Sequence, residues 1–556
     1  MMDIRPVAPG FAVAPQIQPT DMNELAAQGF MVVICNRPDG EEEHQPDAAT
    51  MRAAAEAAGL AYHHIPVSGG NFPAAAVDAF RAVRTETDGS VLAYCRTGTR
   101  SITLDALANP GGLSTSDLLE QAQDAGYDLS SIADRLESSI KNTGEDAVAQ
   151  SIHHQVVVVG GGAAGIATSA SILKRRSSID IAIIDPAETH AYQPGWTMVG
   201  GGVFNVESTI RPEKSVIPKG ATWIKQAVAS FQPENNQVTL SDGSVVGYDA
   251  LVVAPGIRLA WEKIDGIEET LGKNGVTSNY RYDLAPYTWE LVKGLKKGRA
   301  IFTQPPIPIK CAGAPQKSMY LSCDHWRRTG LLGDIEVEFR NAGGVIFGVK
   351  DYVPALLEYV EKYGIDTQFG SNLIAVDGAA QKATFATEDG EVTRDFDMLH
   401  VVPPQVAPQF LADSPLAGES GFTDVDQFTL QHVRYPNVFG LGDGGSTPNA
   451  KTMAAARKQA PVAAVNLLRE LDGKGQTAGY DGYGSCPLTV ERGKIVLAEF
   501  AYGGKLAPSF PTWLIDGTKA QRLSWMLKAD ALPWIYWNGM LKGREWLASP
   551  GNIIAH

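Results

Sequence analysis

The stretch Gln155-Val156-Val157-Val158-Val159-Gly160-Gly161-Gly162-Ala163-Ala164-Gly165 sets the frame for the rest of the chain. It reads as a buried strand running into a GxGxxG turn and then an Ala-rich helix. Gly160 permits the tight turn, Gly162 lets the backbone approach a pyrophosphate, and Gly165 allows close helix–strand packing. Ala163 and Ala164 open the helix, whose N-terminus attracts phosphate charge. The next strand, Ile179 to Asp185, ends in an acid about twenty residues beyond the last glycine, where a ribose hydroxyl is expected. A dinucleotide-binding α/β domain therefore begins near residue 153.

The chain has 556 residues, too many for one core. Its net charge of −15 argues against nucleic acid as a partner. The start, Met1-Met2-Asp3-Ile4-Arg5, has no basic stretch followed by an apolar run, so a cleaved secretory signal is not expected. No run of about 18 apolar residues reads as a membrane-spanning helix. Five scattered cysteines, Cys35, Cys95, Cys311, Cys323 and Cys486, fit single thiols in a reducing compartment. None has metal-ligand spacing, and no metal is expected.

Two later segments select FAD rather than NAD for the first nucleotide site. Tyr248 to Gly256 is a strand entering a small-residue turn, and Asn437 to Asp443 ends a further strand in Gly442-Asp443. Here the chain resembles the two-dinucleotide-domain flavoproteins of the disulfide reductase superfamily, a likeness that makes Asp443 a cofactor contact. His190 to Pro194, Ser215 to Pro218, Pro308 to Ser322, Leu430-Gln431-His432, Tyr435 to Gly440, Tyr480 to Tyr483 and Ser485-Cys486-Pro487 narrow it further. From about 154 to about 546 the chain resembles the sulfide:quinone oxidoreductases, especially the type that includes the mitochondrial enzyme. That resemblance implies FAD contacts at Asp185, Gln193 and, through backbone, Val228, with a quinone as electron acceptor. It also implies that Cys311 faces the flavin.

The turn Pro308-Ile309-Lys310-Cys311-Ala312-Gly313-Ala314-Pro315-Gln316-Lys317 stands where an NADH-using relative carries a second Gly-rich loop. Gln304-Pro305-Pro306-Ile307-Pro308 lacks the N–H groups needed to cradle a phosphate. Electrons are thus expected from a sulfur substrate, with Lys310 and Lys317 as electropositive neighbours of the Cys311 thiolate. The family's second redox cysteine is expected directly after the late Gly-Asp, and Gly444 occupies that position. On this reading Cys311 has no partner in its own domain. Cys486 is expected to be structural, and Cys323, twelve residues away along a helix, is out of reach. The second sulfur is expected on a substrate persulfide or on the amino-terminal domain.

Residues 1–110 read as a separate α/β unit. Cys95-Arg96-Thr97-Gly98-Thr99-Arg100-Ser101 follows the strand Val91 to Tyr94 and precedes a helix. Backbone N–H groups, a helix N-terminus, Arg96 and Arg100 would stabilise a sulfur anion at Cys95. Cysteine phosphatases place the arginine six residues after the cysteine. Here Arg100 is five after Cys95, the smaller ring of rhodanese-type sulfurtransferases. Asn36 to Glu42, His64 to Val67 and the Cys95 loop resemble a bacterial phosphatase-like or sulfurtransferase domain. A phosphatase remains the alternative, with Asp39 as its acid; otherwise Asp39 is a turn residue.

The organisation expected is a phosphatase-like domain (1–110), a helical linker (111–152), an FAD-dependent core of two Rossmann-like domains (153–475, with the second inserted at about 275–400) and a membrane- or quinone-associated region (476–556). Thr512 to Trp546 holds five of the ten tryptophans, with Lys519, Arg522, Lys528, Lys542 and Arg544 among apolar residues. This is the pattern of a helix lying in a membrane interface. The leading expectation is a cytoplasmic flavoprotein attached peripherally to the inner membrane. It would oxidise sulfide or a persulfide through Cys311 and FAD, and Cys95 would move sulfane sulfur to a thiol acceptor. A homo-oligomer is also envisaged. The alternatives are an NAD(P)H:quinone reductase, or a sulfur-signalling flavoprotein, fused to a cysteine phosphatase.

Overall fold

A computed structural model describes residues 2–553 except 43–44, 69–71, 88, 134 and 138–151. The chain divides into two compact units, Met1–Ser151 and Ile152–His556. Most of the second half of the expected linker, from 138 onward, lies outside the described residues. Its first half begins with the helix Thr115–Asp124, whose Leu118 and Ala122 are buried in the core of the first unit.

The first unit is built on a five-stranded sheet in the order Arg5–Ala8, Phe11–Ala14, Ser90–Tyr94, Phe30–Cys35, Ala61–His64. The first pair is antiparallel and the others are parallel. Side chains alternate across a strand, so Val91 and Ala93 enter one core while Leu92 and Tyr94 enter the other. Burial on both faces explains the continuous apolar run at 91–94. Cys95 follows at the carboxyl end of this central strand, the usual place for a ligand site in a parallel sheet.

The second unit carries the nucleotide-binding sheet predicted from Val156 to Gly165. The strands Ala221–Ile224, Ile181–Ile184, Ile152–Val159 and Val245–Val253 run parallel, and Val438–Gly440 joins the last of them in parallel. The helix Ala163–Arg175 packs against Met453–Leu471, which starts at Thr452 with the hydroxyl accepting from Ala455 N–H. A second parallel sheet has the order Val276–Thr277, Met398–His400, Gly298–Gln304, Ile335–Asn341, Asp366–Phe369.

The carboxyl-terminal stretch contributes to both cores. The hairpin of Gly484–Glu491 and Lys494–Phe500 packs on the helix Ala314–Arg328, and Cys486, Leu488 and Val496 share a core with Met319 and Cys323. Tyr536, Met540 and Leu541 bury themselves in the core of the first nucleotide domain. Among the described residues, no helix is long and apolar enough to cross a membrane.

Candidate active site

A cavity of about 480 Å³ opens where the two nucleotide-type domains and the carboxyl-terminal stretch meet. At one end lies the glycine turn. Gly160 has φ +105°, and a Cβ there would stand 2.3 Å from the Ala254 carbonyl oxygen. A Cβ at Gly165 would stand 1.8 Å from the Gly160 carbonyl oxygen, so close packing excludes any side chain. Gly162 caps the helix and faces open space. Asp185 accepts a hydrogen bond from Gly161 N–H at 2.5 Å and one from Ala187 N–H at 2.7 Å.

Gly160, Gly162, Ala163, Ala164, Asp185, Gln193, Gly442 and Asp443 all line this cavity. Gly165 and Val228 do not; Val228 is buried in a separate core with Phe231 and Leu240. Burial raises the carboxyl group of Asp443 above its usual range, against the pull of Lys310 and Lys451. Lys451 Nζ donates to the carbonyls of Asp443 and Gly445, both at 2.8 Å. Glu213 Oε1 and Trp196 Nε1 border the same space, buried and without a hydrogen-bond partner. Unpaired buried polar groups around a glycine-lined cleft suit a polar cofactor that would satisfy them. The residues present therefore fit a dinucleotide.

Cys311 lines the same cavity, before the helix Ala314–Arg328. Its backbone is in the left-handed region at φ +51°, held by Cys311 N–H donating to the Lys451 carbonyl at 2.7 Å. Such conformations concentrate at working sites because the surroundings must enforce them. Lys317 follows six residues later, in the first turn of that helix, and its Nζ donates to Cys311 Sγ at 3.0 Å. Lys310 turns elsewhere and donates to Gln193 Oε1 at 2.5 Å.

The expectation that Cys311 has no partner in its own domain is corrected by the geometry. Cys486 Sγ lies 3.3 Å from Cys311 Sγ, although 175 residues separate the two. The hairpin brings it there, and Gly313 leaves it room: a Cβ at 313 would sit 2.5 Å from Cys486 Sγ. Position 444 is confined instead, with Pro255 Cδ 3.0 Å from any Cβ built there. Cys486 is thus a close neighbour of Cys311 as well as a packed member of the core it shares with Leu488. Cys323 is buried among apolar side chains, and burial pushes its thiol far up.

The pair shares its protons unequally. Hydrogen bonding from Cys486, and then the Lys317 ammonium, hold Cys311 well below the ordinary thiol range against the cost of burial. Cys486 moves the other way, well above it. Burial works against the charge of Lys317, but the facing sulfurs prevail and raise its pKa. A second cation near the sulfurs, Lys528 of the segment Leu527–Ala531, is only 3% exposed. Burial and then repulsion from Lys317 push it down to about 7. Nothing local in the sequence marks Lys451 as a site residue, and Lys528 reads there only as one of the basic residues of a membrane-interface pattern.

In the first unit, Gly98 N–H donates to Cys95 Sγ at 3.1 Å, and Gly98 adopts φ +88°. Arg100 donates to the Val67 carbonyl and to Glu41 Oε2, both at 2.8 Å. Arg96 is 63% exposed and pairs with Glu42 at 2.9 Å. Asp39 accepts from Ala48 N–H at 2.8 Å, the role of a turn and helix-start residue.

A cleft lined by both a nucleotide-type glycine turn and Cys311, whose sulfur lies against that of buried Cys486, is the arrangement of a flavoprotein of the disulfide reductase type. Residues 154–288 match the family model described as pyridine nucleotide-disulphide oxidoreductase, and residues 3–112 match the phosphatase-like domain of beta-lactamase hydrolase-like protein. The chain is 44% identical over 373 residues to the mitochondrial sulfide:quinone oxidoreductase of Dictyostelium discoideum, covering 67% of this chain and 82% of the relative. It belongs to the sulfide:quinone oxidoreductase family and is an FAD-dependent oxidoreductase. The fold is also that of the sulfide:quinone oxidoreductase from Aquifex aeolicus, with a TM-score of 0.58 at 18% identity, over 70% of this chain and 92% of that one. The amino-terminal part is 41% identical over 119 residues to a beta-lactamase hydrolase-like protein of Agrobacterium fabrum, covering 21% of this chain and 28% of that protein.

Proposed function

We propose that the second unit oxidises sulfide at the Cys311–Cys486 pair and delivers the electrons to a quinone. The observation that carries this reading is the 3.3 Å approach of the two sulfurs beside Lys317. Loss of two electrons to a bound FAD, with release of the thiol protons, would close it through a small shift to a disulfide, whose sulfurs lie about 2.05 Å apart. Hydrosulfide attacks the Cys486 sulfur and the Cys311–Cys486 bond breaks. A persulfide forms on Cys486, and the bonding electron pair leaves on Cys311 as thiolate. Lys317 favours departure at Cys311 because its ammonium stabilises the sulfur anion. Gly160, Gly162, Asp185, Gln193 and Asp443 would hold FAD, which when bound accepts the electron pair and passes it on. Lys528 adds positive potential at the same place.

Exposed Trp513, Met526 and Trp534, with Leu514 and Leu523, form an apolar set on the carboxyl-terminal segments. They support peripheral attachment to a membrane that supplies the quinone. In the first unit, Cys95 receives the outer sulfur of a persulfide and hands it to a thiol. The short ring of Cys95 to Arg100, and Asp39 being tied to Ala48, favour this over phosphate hydrolysis.

Anaerobic titration of the full chain with sulfide tests the main reading. The flavin should bleach, and Cys311→Ser or Cys486→Ser should slow bleaching roughly a thousandfold or more. A wild-type flavin that sulfide leaves oxidised, or one that only NADH reduces, overturns it.

A further inference from the structure

The Cys95 cradle contains cations that its own chain already neutralises. Arg37 is 1% exposed, and its Nε donates to Glu41 Oε2 at 2.6 Å while its Nη2 pairs with Glu42 at 2.8 Å. Glu41 Oε2 also accepts from Arg100, the guanidinium that faces the Cys95 sulfur. Arg100's other arm is spent on the Val67 carbonyl. Glu42 closes the set by pairing with Arg96. Three arginines therefore meet two carboxylates, leaving one net positive charge on a network in which Arg100 is the member facing the sulfur.

We infer that Glu41 determines the specificity of the Cys95 site, occupying the place on Arg37 and Arg100 where an oxyanion would bind. The site then accepts the terminal sulfur of a thiol persulfide and rejects phosphate and thiosulfate. This rests on the sulfur-transfer reading of the first unit and specifies its donor. One net positive charge matches a single sulfur anion on Cys95. A dianion would have to displace Glu41 and bring a second charge against the carboxylates, at close range and in partial burial, where repulsion is strong. The reaction balances without an oxidant. The Cys95 thiolate attacks the outer sulfur of R–S–SH, and the donor S–S bond breaks. A new S–S bond forms at Cys95, and the thiol R–SH departs once its thiolate takes the proton.

The test uses the full chain, glutathione persulfide as donor and cyanide as acceptor, with inorganic phosphate as competitor and thiosulfate as alternative donor. Wild type should transfer sulfur from the persulfide, ignore millimolar phosphate and use thiosulfate poorly. Glu41→Gln frees Arg37 and Arg100, so phosphate should become a competitive inhibitor at least about tenfold tighter, and thiosulfate a better donor. Glu41→Asp keeps the charge and should keep phosphate excluded. Efficient use of thiosulfate by wild type overturns the inference whatever the variants do. So does a folded Glu41→Gln whose phosphate inhibition is unchanged. If wild type moves no sulfur but releases phosphate from an aryl phosphate, the sulfur-transfer reading itself has failed.

Discussion

At the scale of single residues, Lys528 shows how a charge is held where it is costly. Its Nζ donates to the Pro194 carbonyl at 3.3 Å, and it shares its surroundings with Lys317 and the two sulfurs. Its pKa falls from the ordinary lysine value of 10.5 to about 7, so the folded protein binds its proton less tightly than the unfolded chain does. Stability lost to this group is therefore greatest below about pH 7. It is recovered as pH rises from about 7 toward 10.5, with a slope of up to about 1.4 kcal/mol per pH unit. Lys528→Met should remove that rise, and thermal unfolding followed across the same range checks it. An identical pH dependence in the two proteins would mean that Lys528 keeps its ordinary affinity for protons. Cys311, Lys317 and the glycine turn could all be read from the sequence, because each belongs to a local pattern. Cys486 could not be assigned its place, since its proximity depends on a hairpin 175 residues away and on the missing side chain at Gly313. Glu41 lies 59 residues from Arg100, and the same reason applies.

At the scale of elements, the carboxyl-terminal segments face two ways. Tyr536, Met540 and Leu541 are buried in the core, whereas Trp513 is 83% exposed and Trp534 54%. The sequence shows the Trp and Lys/Arg richness of this region but not this division, because the helices are short and interrupted by a π-turn at Leu527–Ala531. The same interruption carries Lys528 inward while Met526 stays outside. Exposed indole rings and apolar chains such as these should partition into a bilayer interface. Trp513→Glu combined with Trp534→Glu should weaken cosedimentation with lipid vesicles by about tenfold or more. An unchanged flavin absorbance spectrum would show that the fold is intact. Undiminished cosedimentation would place membrane attachment elsewhere or remove it.

For the whole molecule, each unit has its own hydrophobic cores. Val13, Ile34, Phe80, Ile102 and Leu104 anchor one core of the first, and Val158, Ile166, Ile183, Val252 and Phe439 one core of the second. Burial of this kind is what makes a domain fold cooperatively. The division into an α/β unit and a two-nucleotide-domain enzyme was accessible from sequence because strand-and-turn patterns restart at Gln155. The helix Thr115–Asp124 was less so, since its polar surface reads as a connector while its buried Leu118 and Ala122 hold it to the first core. Calorimetry of the full chain should therefore resolve two unfolding transitions. FAD binds only the native second unit, so added FAD should raise that transition alone, by the mass-action relation between free ligand and stability. Cys95→Ser should leave the FAD-dependent shift unchanged. One transition that moves as a whole with FAD would show instead that the two units unfold as one.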